Sequence, residues 1–489
     1  MVFRRDAKTV YTSPAAAVIA EQHPRELYRL LRWYYQNNGL YDELYQALYA
    51  VGQERESLRP LRNPANRVVE FYAAKLWPGQ LHEAFDITAG QKEEIIPAIH
   101  QVWQWSNWEA QKQVTARWFA SYGDLFLKVV QSQDRDRVYF QALEPEYVTD
   151  FDTDERGYLI YIRIDVPRQR REGDEVKGYT HTEVWDKATQ TYRVWEHTQP
   201  EDTELRRLGR PVVEEDMKTF GIDFLPFVHA KFRDVGEARG VSAFTHALDK
   251  IDEANRMATR LHQMLFRHND TLWVLEANAV DGAGRPMPAP SLPTDNKGEV
   301  VLGNSRIARL PGNAKLSSLV PQLQYEAALL ILDAMMDELQ RDLPELAYYA
   351  LREQTAISGR AVRLLLGDAL DKAEEARGNA LAALKRANEM ALTIGAHAKL
   401  KDFKAIGTWE NGDYDHTIEL PPIIPLTEAE DLETLQIKRE ALEVPIETLW
   451  EEAGYSEEDI ATMKALREQG NSLGERLLRN FETQFGGGA

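Results

Sequence analysis

Arg341–Val362, RDLPELAYYALREQTAISGRAV, is the stretch on which the fold turns. The chain reads as a long helix on each side of it. Before it, Pro321–Arg341 repeats apolar residues at helical spacing. After it, Gly359–Ala398 reads as one helix of roughly 40 residues, about 60 Å long at 1.5 Å per residue. Pro344 forbids a single continuous helix, because its ring lacks an amide donor and clashes with the preceding turn. Ser358 can cap the next helix, and Gly359 allows close packing. Asp342–Ile357 is therefore expected to be a loop. A helix as long as the second needs other elements or other subunits alongside it.

Working outward, Ser242–Arg267 reads as a further long helix. Between it and Pro321 lie a Pro/Gly-rich segment, Asn278–Gly298, and short strands near Glu299–Leu302 and Ile307–Leu310. A small β insert thus joins two long helices and would sit at their far end. Upstream, strands are expected at Asp124–Gln131, Arg137–Ala142, Tyr158–Val166, Tyr179–Trp185, Tyr192–Glu196 and Phe224–Phe232. Charged Arg171–Lys177 and Thr198–Arg210 read as loops. The first part of the chain, to about Trp118, reads as helices. Val68, Val69, Tyr72, Leu76, Ile99, Val102, Trp103 and Trp108 fall at core spacing there. Downstream, Ile406–Leu420 is β-like and Leu426–Phe485 reads as short acidic helices. The fold class is α+β and mainly helical.

The 489 residues suggest about three domains. With 43% hydrophobic and 28% charged residues, the chain can build a core. A formal charge of −20 does not suit a protein that grips nucleic acid over its whole surface. It fits a low-friction passage for DNA, and equally a charge that keeps a soluble protein apart from its neighbours. The absence of cysteine excludes disulfides, thiol catalysis and Cys-ligated zinc. No signal peptide, membrane span or membrane partner is expected.

A search for chemistry finds little. No Gly-x-x-x-x-Gly-Lys loop, His-Glu-x-x-His or Gly-x-Ser-x-Gly is present, so motor activity would come from a partner. Asp150, Asp152 and Asp154 tempt a calcium reading. Glu155 and Tyr161, however, stand where an EF-hand needs Gly and Glu, so a solvated acidic turn is expected. His262 and His268 are six apart and share no helix face. No catalytic residue, metal site or cofactor is expected, and the chain is read as no enzyme.

The basic residues offer more. Arg256, Arg260 and Arg267 fall within about 40° of one another at 100° per residue, with Asp249 and Asp252 extending the same face. They form either a salt-bridged surface toward a neighbour or a basic stripe near DNA phosphates. Arg306, Arg309 and Lys315, after the insert, carry the same ambiguity. In the predicted loop, Leu343, Leu346, Tyr348 and Tyr349 lie between Arg341 and Arg352. Apolar groups there could touch sliding DNA without strong phosphate bonds. Alternatively, Tyr348 and Tyr349 pack against neighbouring subunits.

The order of these parts resembles the portal proteins of tailed bacteriophages, the head-to-tail connectors. Asn63–Gly79 (NPANRVVEFYAAKLWPG) is similar to the family's early Asn–helix–Gly segment. Leu225–Phe232 followed by Gly240-Val241-Ser242 resembles its Pro-containing strand and stem start, and Asp249–Arg256 (DKIDEANR) the stem helix that follows. Ile357–Val362 resembles the Ser-Gly-x-Ala-Leu element of the long wing helix, with Val362 replacing Leu. Glu443–Ile460 resembles the crown-side hairpin.

The resemblance implies a wing (1–241), a first stem helix (242–269), a clip (270–320), a second stem helix (321–341), a tunnel loop (342–357), a return to the wing (358–420) and a crown (421–489). It implies a virion protein, a dodecameric ring at one capsid vertex with a central channel. Double-stranded DNA would pass through that channel in packaging and ejection. Its partners would be the terminase large subunit, a head–tail adaptor, and the major capsid and scaffold proteins. The rival expectation is a helical virion scaffold or adaptor that does not contact DNA.

Overall fold

The computed structural model describes residues 24–36, 63–79, 85–89, 92–132, 136–172, 175–269, 273–277, 285, 314–318, 325–352, 359–400, 403, 413–424, 428–453 and 459–467. The chain divides into two compact units. The first comprises Met1–Ala347 and Asp371–Leu420, the second Tyr348–Leu370 and Pro421–Ala489. The division points are 347/348, 370/371 and 420/421, the first two of them within helices.

The first unit opens with helices α1 (Pro24–Gln36), α2 (Ala65–Leu76), α3 (Ile96–Trp105) and α4 (Trp108–Tyr122). Helices α3 and α4 are separated at Ser106–Asn107, where Asn107 adopts positive φ. The apolar residues assigned to the core are buried, including Val68, Val69, Tyr72, Leu76, Ile99, Val102, Trp103 and Trp108. Helix α4 ends on Gly123, at φ +88°, whose amide returns to Phe119 O. A Cβ at Gly123 would lie 2.7 Å from Gly240 O, so only glycine fits this crossing.

Two antiparallel sheets follow. β2 (Asp124–Gln131), β3 (Val138–Leu143) and β9 (Phe227–Lys231) form one, ordered β3-β2-β9. β4 (Val148–Thr153), β5 (Leu159–Glu172), β6 (Glu175–Asp186), β7 (Thr191–His197) and β8 (Val213–Asp216) form the other in sequential order. Phe126, Ile162, Ile164, Trp185, Met217 and Phe227 are buried together in one core cluster. Its residues come from both sheets, as expected where each sheet buries one face.

Two sequence expectations are corrected here. Arg171–Lys177 is not a loop: β5 and β6 stay paired from Tyr161↔Asp186 out to Glu172↔Glu175, so the hairpin runs on past the β4 and β7 neighbours. Charged side chains suit a ribbon exposed on both faces, and composition alone hides it. Asp150 and Asp152 are not in a turn but on β4, opposite Arg163 and Tyr161. Only Asp154 holds the turn, accepting from Arg156 N at 2.9 Å and Tyr158 N at 2.8 Å.

Helix α5 (Leu248–Asn269), hairpin strands β10 (Trp273–Ala277) and β11 (Ala314–Ser318), and helix α6 (Tyr325–Asp342) follow in order. β10 and β11 pair antiparallel, so the insert returns to where it left. Its strands expected at 299–302 and 307–310 lie outside the described residues. α7 (Leu346–Arg352), α8 (Gly359–Leu365) and α9 (Gly367–His397) complete the helical run. The expected helix over 359–398 is interrupted at Leu366, beside Gly367. The i to i−4 bonds continue through it, from Leu366 N to Val362 O and from Leu370 N to Leu366 O. β12 (Thr417–Glu419) returns to pair with β1 (Asp86–Thr88).

In the second unit, α10 (Glu428–Ala441), α11 (Ile446–Glu452) and a helix over 459–467 are the short acidic helices expected. Lys438 pairs with Glu452 at 2.5 Å, and Leu449 and Ile460 are buried. Leu364, Leu365, Leu432, Leu442 and Leu466 are exposed.

Candidate channel and stem surface

Gly240-Val241-Ser242 leads toward helix α5 through two contacts. Gly240 N donates to Asp124 Oδ1 at 2.9 Å, which locks the segment to β2. Ser242 Oγ accepts from Thr245 N at 3.1 Å, a local turn that leads into a 3₁₀ turn, Thr245–Ala247. The α-helix therefore starts at Leu248 and not at Ser242.

Helices α5 and α6 pack on one another through a narrow apolar seam. Ala254, Ala258 and Leu261 of α5 meet Leu332 of α6, flanked by Met257, Ala328 and Met336. Small residues let the backbones approach closely. At the foot, Lys250 Nζ reaches Asp342 at 2.6 Å and Glu338 at 2.7 Å. The hydrogen bonds to Asp342 and then Glu338 hold its pKa above the ordinary lysine value. His246 Nε2 meets Asp342 O at 2.9 Å.

Much of the rest of α6 is exposed in the isolated chain. Leu329, Leu330 and Ile331 are 48%, 69% and 52% exposed. Three large apolar neighbours in solvent on one helix are unusual for a surface that stays wet.

The turn after α6 is the firmest part of the region. Leu346 N and Ala347 N return to Leu343 O and Pro344 O. Glu345 is fully buried and accepts from Lys372 Nζ of α9 at 2.8 Å and from Tyr72 OH of α2. Lys372 Nζ also donates to Ala243 O at 3.1 Å. Burial, then the Glu345 charge, pushes the Tyr72 hydroxyl well above its ordinary pKa.

The predicted site residues are distributed as follows. The expected loop over 342–357 contains helix α7, because Leu, Ala and Tyr after a Pro-initiated turn are adequate helix formers. Arg341 is exposed at the end of α6. Leu343 is 0% exposed and belongs to the core, so it offers no surface to a channel. Leu346 is half-buried. Tyr348 and Tyr349 are half-buried and meet edge to face, with centroids 5.7 Å apart.

The Arg256 guanidinium is exposed and bound to Glu253 at 2.9 Å, which fits the salt-bridged alternative at that position. Asp252 does not extend an exposed face: it is buried and accepts from Tyr34 OH at 2.7 Å. Arg260 and Arg267 lie on α5, Lys315 on β11 opposite Glu276, and Arg352 on α7, with side chains outside the described residues. Arg306 and Arg309 lie outside them altogether, as do the side chains of His262 and His268.

Sequence reasoning missed Glu345, Lys372 and Lys250. Nothing in their spacing pairs them, since Lys250 and Glu338 lie 88 residues apart. Among the described residues, no group of three or more His, Asp or Glu could hold a metal ion. Among them, too, no helix is long and apolar enough to cross a membrane.

No protein-family model and no curated protein matches the chain. It is similar to chains in solved structures of gene transfer agent (GTA) particles. A chain from the neck of an empty GTA particle, computed with C6 symmetry, is 12% identical with a TM-score of 0.42. That match covers 78% of this chain and 86% of the other. A chain from the virion of a native GTA particle is 13% identical with a TM-score of 0.36, covering 81% and 86%. A chain from the neck of a native GTA particle, computed with C12 symmetry, is 12% identical with a TM-score of 0.36, covering 82% and 88%.

Proposed function

We propose that this chain is a portal-type subunit. It assembles as a dodecameric ring at one capsid vertex and forms a passive conduit for double-stranded DNA in packaging and ejection. The terminase motor docks on it first, and head–tail adaptor proteins replace the motor. The ring carries out no bond chemistry, and ATP hydrolysis belongs to the motor.

The observation that carries this reading is the α5–α6 pair with the exposed apolar residues that α6 leaves around the rest of its surface. One stripe of α6 is spent on α5, and Leu329, Leu330 and Ile331 are left for another surface. In a closed ring a subunit has a neighbour on each side, and a heterologous contact that closes covers these residues in every copy. The β10–β11 hairpin closes the insert at the far end of α5 and α6, where a docking module belongs. The order of motifs in the sequence agrees with this arrangement.

Arg341, Tyr348, Tyr349 and Arg352 are the channel-facing candidates of the proposal. With a chain charge of −20, their contacts to DNA are few and salt-sensitive. Sedimentation of the full chain tests the assembly. The expected species is a ring of about twelve 56.0-kDa copies. A monomer–dimer equilibrium at all concentrations would contradict it.

A further inference from the structure

Trp103 Nε1 lies 2.9 Å from Asn388 Oδ1, and Asn388 Nδ2 lies 3.0 Å from His416 Nε2. His416 Nδ1 lies 3.0 Å from Tyr414 O. All three side chains are buried, and His416 is only 2% exposed. The donors along this chain are fixed by elimination. An indole N–H can only donate, so the Asn388 atom facing it is the oxygen. The amide nitrogen then faces His416 and must donate, so Nε2 is the acceptor. A carbonyl can only accept, so Nδ1 carries the hydrogen. His416 is therefore held neutral, with both ring nitrogens committed.

A second proton on His416 would set a ring N–H against the Asn388 amide N–H. The amide cannot turn over without setting its own N–H against Trp103. Burial also disfavours the imidazolium, and the His416 pKa lies below its ordinary value.

What His416 holds is slight on its own. β12 pairs with β1 through only three residues, Thr417↔Thr88, Ile418↔Ile87 and Glu419↔Asp86. A two-stranded ribbon of this length is marginal without further anchorage. We propose that Trp103, Asn388 and His416 form a pH-operated latch that holds 413–419 on α9 and β1 and releases it on acidification. Along the chain, this segment leads directly into Pro421, where the second unit resumes.

Other charges face the latch. On α9, Lys385 pairs with Asp415 and opposes a second positive charge at His416. Glu389, also on α9, is pushed up to about 7 by burial and takes its proton first, which relieves a desolvated charge and works against release. Lys92 holds Asp413 O at 2.7 Å, and His100 meets the Trp103 ring edge to face. Glu419 and Asp86 stand opposite one another at the end of the ribbon.

Hydrogen–deuterium exchange by mass spectrometry on the full chain, at pH 7.5 and 5.0 and corrected for intrinsic rates, tests the latch. Amides of 413–420 are expected to exchange at least about tenfold faster at pH 5.0, while those of α9 change little. Asn388→Asp gives an acceptor to both Trp103 and an imidazolium, so it abolishes the increase. His416→Gln, whose amide oxygen accepts from Asn388 at every pH, also abolishes it and decides the matter if Asn388→Asp does not fold. Glu389→Gln keeps the increase. Wild-type exchange that is unchanged between the two pH values, or release that persists in His416→Gln, would overturn the proposal.

Discussion

Lys372 Nζ donates to Glu345 Oε1 at 2.8 Å and ties the long helix α9 to the turn that follows helix α6. Glu345 is fully buried, and the Lys372 side chain is 14% exposed. A pair this deep adds little net stability relative to an apolar pair, but losing one partner strands the other charge. Lys372→Met is therefore expected to destabilise the subunit by about 3–5 kcal/mol, read by urea denaturation. Tyr72→Phe removes only one bond to the same carboxylate and is expected to cost about 1–3 kcal/mol. Equal effects from the two would refute the ranking.

Substituting Leu330→Glu places a charge among the exposed apolar residues of α6 without touching the α5 seam. The subunit should keep its far-ultraviolet circular dichroism and melting temperature and lose its ability to form large assemblies in light scattering. Loss of the fold together with assembly would mean that these residues are needed within the chain.

Gly123 and Gly240 cross with no space for a side chain. Gly123→Ala forces a positive φ on alanine and a Cβ 2.7 Å from Gly240 O. The expected loss is about 2–4 kcal/mol in denaturation, more than the typical cost of a single φ penalty. A change under about 0.5 kcal/mol, the usual range at an unconstrained surface position, would show that the crossing is loose.

Glu389 gives a pH dependence with a definite sign. Burial, with the Asp415 charge adding to it, raises its pKa from the ordinary carboxylate range to about 7. Its charged form is thus a penalty that is fully present above pH 7 and gone below about pH 4.5. Glu389→Gln is expected to stabilise the protein by about 1–2 kcal/mol at pH 8, after discounting for solvent screening, and to change nothing at pH 4.5. Thermal melts across that range check the crossing.

Much of the fold was legible in the sequence. Pro344 marked the break between the long helices, and the Val/Ile/Tyr runs marked strands of both larger sheets. What escaped were features set by distant partners. The ribbon over 167–178 is built from charged residues that pattern as a loop. Leu343 looked available because nothing local in the sequence told of its burial. Glu345 and Lys372 are 27 residues apart and became partners only through packing. The basic stripe was visible as spacing, yet Arg256 is bound to Glu253 of its own helix.

Negative-stain electron microscopy of the purified full chain, with class averages viewed along the symmetry axis, tests the central claim most directly. The portal reading predicts closed rings of about twelve subunits around an open bore wide enough for a DNA duplex. Compact dimers, open filaments or rings with a blocked centre would contradict it.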